Sequence, residues 1–210
     1  MKVTDTKSTI AWYDVNAAQY AANIFEFPPP SELVEKFIGY LEGKNILDAG
    51  CAGGRDSAYF SEQGFDVTGI DLSSGLINLA KTNYPKIRFI EGDLRELPFE
   101  DELFDGIWSQ ASLVHMATKQ DAEDALSEFF RVMKKGGILY VSVKTNDKET
   151  DIVNDKLSGH NRFFRYYSEE EMGQMLIQSG FDILETFPLD DPAGRGDVKW
   201  LVFFARKANS

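Results

Sequence analysis

The sequence predicts an α/β fold in which a seven-stranded sheet, mostly parallel with an antiparallel last strand, is covered by helices on both faces. Two observations carry this expectation. Five short apolar runs alternate with segments of helical periodicity between residues 45 and 144, as strands and their crossover helices do. Two later runs, 181–187 and 199–205, lie too close together for a helical crossover and so form an antiparallel pair at one sheet edge. One domain accommodates all 210 residues, a length that buries roughly 70% of its unfolded surface.

In order, residues 1–30 bear aromatics at Trp12, Tyr13 and Tyr20 and end in Pro28-Pro29-Pro30, which stops any preceding helix. Ser31 then opens a helix with Val34, Phe37, Ile38 and Leu41 on one face, closed by Gly43. Strands are expected at Asn45–Ala49, Phe65–Ile70, Ile87–Glu91, Phe104–Ser109 and Ile138–Lys144. Their near-continuous apolar character suits strands buried on both faces. Leu76, Leu79 and Ala80 share one helical face, as do Ala122, Leu126, Phe129, Phe130 and Met133. The second of these helices opens on Thr118-x-x-Asp121, a capping-box-like pair. It is expected to stop at Lys134-Lys135-Gly136-Gly137, because basic residues and glycine favour a helix C-terminus. Residues 145–162 are polar, turn-rich and too long for an ordinary connection, so a mobile flap over a ligand site, running to 167, is expected. Ser168-x-x-Glu171 opens a last helix with Met172, Met175 and Leu176 inward, and Gly180 ends it.

Composition excludes several classes. With 22 Lys+Arg against 34 Asp+Glu the net charge is −12, which weakens any reading that needs a phosphate backbone as partner. A 43% apolar content argues against wholesale disorder. No run approaches the ~20 apolar residues of a membrane span, and MKVTDTKSTIAWYD has no apolar core of a secretory signal. Cys51 is the one cysteine and cannot bridge within the chain, which fits a reducing compartment, most simply the cytoplasm.

The turn Asp48-Ala49-Gly50-Cys51-Ala52-Gly53-Gly54-Arg55 follows the first strand and leads into a helix. Small residues there let a ligand lie against backbone N–H groups at a helix N-terminus. The dinucleotide pattern G-x-G-x-x-G, laid from Gly50, meets Ala52 and Arg55 and fails twice. Asp-x-Gly-x-Gly-x-Gly fits better, as Asp48, Gly50, Ala52 and Gly54, with one added methyl at Ala52. That methyl is tolerated where φ is negative and puts ligand affinity in doubt where φ is positive.

With this motif the chain resembles the class I S-adenosylmethionine-dependent methyltransferases, from about Tyr13 to the C-terminus. Four further segments match in order: Gly69-Ile70-Asp71-Leu72-Ser73, Glu91-Gly92-Asp93-Leu94, Phe104–Gln110 and Leu139–Lys144. The resemblance implies a Rossmann-like, doubly wound sheet and methyl transfer from S-adenosylmethionine by in-line displacement. It implies that Asp71 and Leu72 hold the ribose end of the cofactor, two vicinal hydroxyls matching two carboxylate oxygens. Asp93 would accept from the adenine amino group and the Leu94 N–H would donate to the ring. Asp48, Gly50, Cys51, Ala52 and Gly54 would form the cradle, with Ser109 and Gln110 facing the methionine moiety. Arg55 would meet the cofactor carboxylate or else pair on the surface. Tyr20 and Tyr13 lie in an N-terminal segment, 1–30, that would cap the cofactor, with aromatic faces near the sulfonium.

A positioned acceptor needs a base only where it must lose a proton, so the sequence need not display one. His115, just beyond the fourth strand, is the candidate base and Tyr13 a second candidate; a packed histidine holding that segment is the alternative reading. His160 in the flap reads as solvated. No metal ligand set is assigned. The expected acceptor is a small molecule. Two other readings stay open: an RNA base reached through a basic rim of Lys81, Lys86, Arg88, Lys134, Lys135, Arg162 and Arg165, and a non-catalytic module that only binds the cofactor.

Overall fold

A computed structural model of the chain describes residues 6–25, 31–155, 160–191 and 198–208. The stop at Pro28–Pro30 lies outside the described residues. The N-terminal segment is a helix, α1 (Thr6–Phe25), kinked at Asn16, whose side-chain amide donates to the Trp12 carbonyl at 2.8 Å. Helix α2 (Ser31–Tyr40) follows, then β1 (Asn45–Ala49), α3 (Arg55–Glu62), β2 (Asp66–Asp71), α4 (Ser74–Asn83), β3 (Arg88–Glu91) and β4 (Phe104–Gln110). After a 3-10 turn at Leu113–His115 come α5 (Lys119–Val132), β5 (Met133–Thr145), β6 (Thr150–Asp155), β7 (His160–Arg165), α6 (Glu169–Gln178), β8 (Phe181–Asp190) and β9 (Lys199–Lys207).

Seven strands form one sheet in the order β3-β2-β1-β4-β5-β9-β8. All of its pairings are parallel except those of β9, which runs antiparallel to both β5 and β8. This is the expected seven-stranded sheet with its antiparallel last strand. Strand alternation sends neighbouring residues to opposite faces. Leu47, Ile107 and Leu139 pack with Leu126, Phe129, Met172 and Met175 of α5 and α6. Ile46, Trp108, Ile138 and Tyr140 pack with Val34, Phe37 and Phe60 of α2 and α3. The rings of Trp108 and Tyr140 stack at 3.7 Å, and truncating either to alanine would cost about 3–5 kcal/mol. Gly106 admits α2 to the sheet, since a Cβ there would lie 2.7 Å from Phe37 and 2.6 Å from Leu41.

The Thr118 hydroxyl and Asp121 form the predicted capping box of α5, and the Ser168 side chain caps α6 by accepting from the Glu171 N–H. Two expectations need correction. Lys134–Gly137 do not close a helix: α5 ends at Val132 and these residues form a bulge in β5, between the pairs Phe104–Met133 and Gly106–Ile138. Asp105 holds the bulge by accepting from Lys134 Nζ at 2.8 Å, and Lys207 Nζ donates to the Met133 carbonyl at 2.7 Å. The stretch 145–162 is not irregular either. Residues 150–155 and 160–162 of it pair in the strands β6 and β7, in register from Thr150–Arg165 to Asp155–His160. Its strands lack apolar alternation, so periodicity did not reveal them. Among the described residues no helix is long and apolar enough to cross a membrane.

Candidate active site

A cavity of about 790 Å³ opens at the carboxyl-terminal edge of the parallel strands, with α1 as its outer wall. This is where open α/β sheets receive ligands.

One end is built on the turn between β1 and α3. Gly50 sits at φ 83° with its α-carbon against Ser112, where a Cβ would approach to 2.4 Å, so only glycine fits. The N–H groups of Gly50 and Cys51 both donate to the Ile70 carbonyl, at 2.8 and 3.0 Å, fastening the turn to β2. Ala52 has φ 48°, the left-handed region that its methyl group disfavours. Asp71 holds it there: one carboxylate oxygen accepts from the Ala52 N–H and the other from the Ser73 N–H, both at 2.9 Å. Burial pushes the Asp71 carboxyl up, against these hydrogen bonds.

Beneath the turn, Asp48 accepts from the Ser57 hydroxyl at 2.5 Å. Burial, and then the charge of Asp56, push its carboxyl up to about 8. Asp56 accepts from Trp108 Nε1 at 2.9 Å and from Arg55 Nε at 2.5 Å. Arg55 lines the cavity while holding this ion pair. At the tip of β3, Asp93 is clasped by Arg95, whose Nη2 lies 2.6 Å away and holds the carboxyl below its usual range. Arg95 also reaches Asp121.

The mouth is crossed by α1. Asp14 accepts from the Ser73 hydroxyl at 2.7 Å and the Gly75 N–H at 3.1 Å, fixing α1 on the start of α4. Tyr13 is buried and packs edge-on against Tyr20 at 4.7 Å. Its hydroxyl meets His115 Nε2 at 3.1 Å and accepts from Arg162 Nη1. His115 Nδ1 faces the Phe163 carbonyl at 2.9 Å, which can only accept, so Nδ1 carries the proton. Both ring nitrogens thus have partners, as the packed-histidine reading expects. Burial pushes the Tyr13 phenol well above its ordinary value, so it stays protonated.

Of the residues singled out from the sequence, Tyr13, Tyr20, Asp48, Gly50, Cys51, Ala52, Arg55, Asp71, Leu72, Asp93, Leu94, Gln110 and His115 line this cavity. Gly54 and Ser109 do not. Gly54 precedes α3 at φ 84° and faces Phe89 and Tyr84, while the Ser109 hydroxyl is buried against Ser112 Oγ at 2.6 Å. The side chain of His160 lies outside the described residues. Three of the seven residues read as a basic rim are engaged elsewhere: Lys134 pairs with Asp105, Arg165 is buried against Glu149 and Glu171, and Arg162 lines the cavity. Sequence reasoning missed Arg95, Lys144, Asp191 and Trp200 as lining residues. Lys144 ends a predicted strand and was findable; Trp200 reaches the edge only through the antiparallel register Lys144–Trp200.

Comparison with known proteins agrees with the geometry. A methyltransferase-domain family profile matches residues 47–141. Over 95 residues the chain is 36% identical to the malonyl-[acyl-carrier protein] O-methyltransferase of Salmonella typhimurium, covering 45% of this chain and 37% of that protein. Over 110 residues it is 34% identical to the demethylmenaquinone methyltransferase of Renibacterium salmoninarum, covering 52% and 45% respectively. The chain thus spans less than half the length of these curated relatives. A crystal structure of the 1,6-didemethyltoxoflavin-N1-methyltransferase of Burkholderia thailandensis, with 1,6-didemethyltoxoflavin and S-adenosylhomocysteine bound, superposes with a TM-score of 0.68. The two are 25% identical, and the match covers 97% of this chain and 85% of that one. Motif order, sheet order and these likenesses agree in making the chain similar to class I S-adenosylmethionine-dependent methyltransferases, with a methyltransferase domain matched over residues 47–141.

Proposed function

We propose that this chain is an S-adenosylmethionine-dependent methyltransferase acting on a small-molecule acceptor. The observation that carries the reading is the closure of the glycine-rich turn by Asp71, beside a leucine left exposed in the cavity. Leu72 is 40% exposed although it follows directly on a buried strand. An apolar side chain held open at the tip of β2 fits an adenine face. A carboxylate has about four acceptor positions, so Asp71 can take ribose hydroxyls while still holding Ala52 and Ser73.

The residues that would hold the cofactor are therefore Asp71 and Leu72 at the ribose, Asp93 and Leu94 at the adenine, and the turn from Gly50 to Gly53 beneath the chain between them. Gln110, whose side-chain oxygen accepts from the Tyr140 hydroxyl at 2.6 Å, would flank the methionine end together with Tyr20 and Arg55. When bound, S-adenosylmethionine supplies a methyl group already activated on a sulfonium. The chain's task is then alignment, which can lower a barrier by roughly 7–11 kcal/mol. Tyr13 and His115 serve that task as positioning residues, because the phenol keeps its proton and both imidazole nitrogens are engaged. With α1 and the hairpin β6–β7 they close the site against water.

The cavity volume lies toward the upper end of the range for small-ligand pockets, which supports an acceptor beside the cofactor. The engagement of Lys134, Arg165 and Arg162 away from a surface rim favours that acceptor over RNA. A lone buried cysteine supports a cytoplasmic setting. The test is turnover: incubated with S-adenosylmethionine and a panel of small acceptors, the chain should release S-adenosylhomocysteine in an acceptor-dependent manner. If no acceptor tried elicits release, despite tight cofactor binding, the result supports a binding module instead.

A further inference from the structure

The first half of α1 supplies Thr6, Lys7, Ile10, Ala11, Tyr13 and Asp14 to the cavity lining, so it covers part of what lies beneath. It is moored on two sides, and the moorings differ. Toward the hairpin, the Thr9 hydroxyl accepts from the Phe163 N–H at 3.1 Å, the Thr6 hydroxyl donates to the His115 carbonyl at 2.6 Å, and Tyr13 meets His115 and Arg162. Thr9 is fully buried there. Toward α4, Asp14 Oδ1 accepts from the Ser73 hydroxyl at 2.7 Å, the Gly75 N–H at 3.1 Å and the Ser74 hydroxyl at 3.4 Å. The last two of these bonds lie at the surface.

Asp14 thus caps α4 from another helix, supplying the oxygen that an N-cap residue offers to its own. Two features let it act as a catch. Gly75 has no side chain where a Cβ would come within 2.3 Å of the Asp14 carbonyl oxygen, so α1 rests directly on the α4 backbone. Two residues beyond Asp14, helical geometry breaks at Asn16, with φ −114° and ψ 20°, and such a break can absorb the rotation of a hinge. Tyr13 and Ala17 also pack with Leu76, but apolar contact is non-directional, so Asp14 fixes where α1 sits on α4. The catch lands beside the ligand site: Ser73 donates its hydroxyl to Asp14 and its N–H to Asp71 at 2.9 Å. A surface hydrogen bond is exchanged for one to water at little net cost, whereas the buried Thr9 pair is not. The α4 side therefore opens first.

We propose that the first half of α1 is a lid that opens on its α4 side, hinged at Asn16 and moving with the hairpin β6–β7, and that Asp14 is the positioning residue whose release sets how fast the cofactor enters and leaves. This rests on the methyltransferase reading of the same cavity. Entry and exit both pass through the open lid, so the catch acts on the two rates alike and leaves affinity nearly unchanged.

The test is the exchange kinetics of S-adenosylhomocysteine: association by stopped-flow mixing, and dissociation by chasing labelled with unlabelled ligand. In Asp14→Ala both rates should rise about 3- to 30-fold, the range for losing an N-cap oxygen, with Kd within about threefold of wild type. Asp14→Asn keeps that oxygen and should stay close to wild type. Gly75→Ala favours the α4 helix yet pushes α1 away, and should raise both rates as well. Unchanged rates in Asp14→Ala or Gly75→Ala, dissociation that speeds up alone while affinity falls in proportion, or Asp14→Asn as fast as Asp14→Ala overturns the proposal. The wild type decides even where a variant fails to fold. Its Gly75 amide should exchange hydrogen faster than its Phe163 amide, and should slow when S-adenosylhomocysteine binds; the reverse order, or no slowing, overturns the proposal. If S-adenosylhomocysteine itself does not bind, the methyltransferase reading fails and the lid with it; if it binds at rates indifferent to Asp14, only the lid fails.

Discussion

Tyr13 on α1 and His115 beyond β4 meet at 3.1 Å across the mouth of the cavity, although 102 residues separate them in sequence. In the neutral ring, Nδ1 donates to Phe163, so Nε2 accepts from the Tyr13 hydroxyl, which in turn accepts from Arg162. One hydroxyl therefore joins three elements: the N-terminal helix, the segment after β4 and the hairpin strand β7.

Tyr13→Phe should break this junction while keeping the ring. It leaves the Arg162 donor and the His115 acceptor without the hydroxyl, a loss of about 1–3 kcal/mol. A lower melting temperature, together with faster amide exchange in α1 and β7 but not in β1 or β4, is the expected result. Unchanged exchange in α1 would contradict the closure.

Ala52→Gly should stabilise the chain. A non-glycine residue in the left-handed region costs roughly 1–2 kcal/mol, and glycine gives back about 0.5–1 kcal/mol through its greater freedom when unfolded. A net gain of about 0.5–1 kcal/mol follows, or roughly 1–4 °C in melting temperature for a chain of this size. A fall in stability would show that the Ala52 methyl makes a contact outweighing its strain.

Asp71→Asn places an amide where two backbone N–H groups need acceptors, so one donor must face another. The turn around Ala52 should loosen and S-adenosylhomocysteine affinity should drop about 10- to 1000-fold, since hydrogen bonds to a charged group are each worth about 1.5–3 kcal/mol. A folded variant with wild-type affinity would remove Asp71 from the binding site.

Asp48 carries a pH signature. Its carboxyl, pushed up to about 8 when folded, lies above its ordinary value of 3.8. Between those values the folded chain keeps a proton that the unfolded chain has released, so stability falls as pH rises from about 4 to about 8. Asp48→Asn does not titrate. Urea midpoints should therefore move in favour of the variant, relative to wild type, at each step from pH 5 to pH 8. A difference independent of pH would contradict the buried, protonated carboxyl.

The parallel core was legible because its signals are local. β1 begins and ends at the predicted Asn45 and Ala49, and Thr118 with Asp121 marks the start of α5 as read. Most of the residues expected to hold the cofactor were legible as cavity-lining positions, because they fall at the tips of predicted strands. The opposite wall of the cavity was not. Trp200 and Asp191 reach the cavity through long-range register, and the hairpin β6–β7 carries no apolar alternation to announce a strand. Ala52 is the case where chemistry outweighed local preference: Asp71, 19 residues away, holds it at a φ of 48° that alanine avoids.

The most direct measurement is an equilibrium titration of the purified chain with S-adenosylhomocysteine, run beside NADH. Saturable one-to-one uptake of the sulfur nucleoside, displaced by S-adenosylmethionine and untouched by NADH, is the expected result. A chain that takes up neither, or that takes up NADH in its place, contradicts the reading of this cavity.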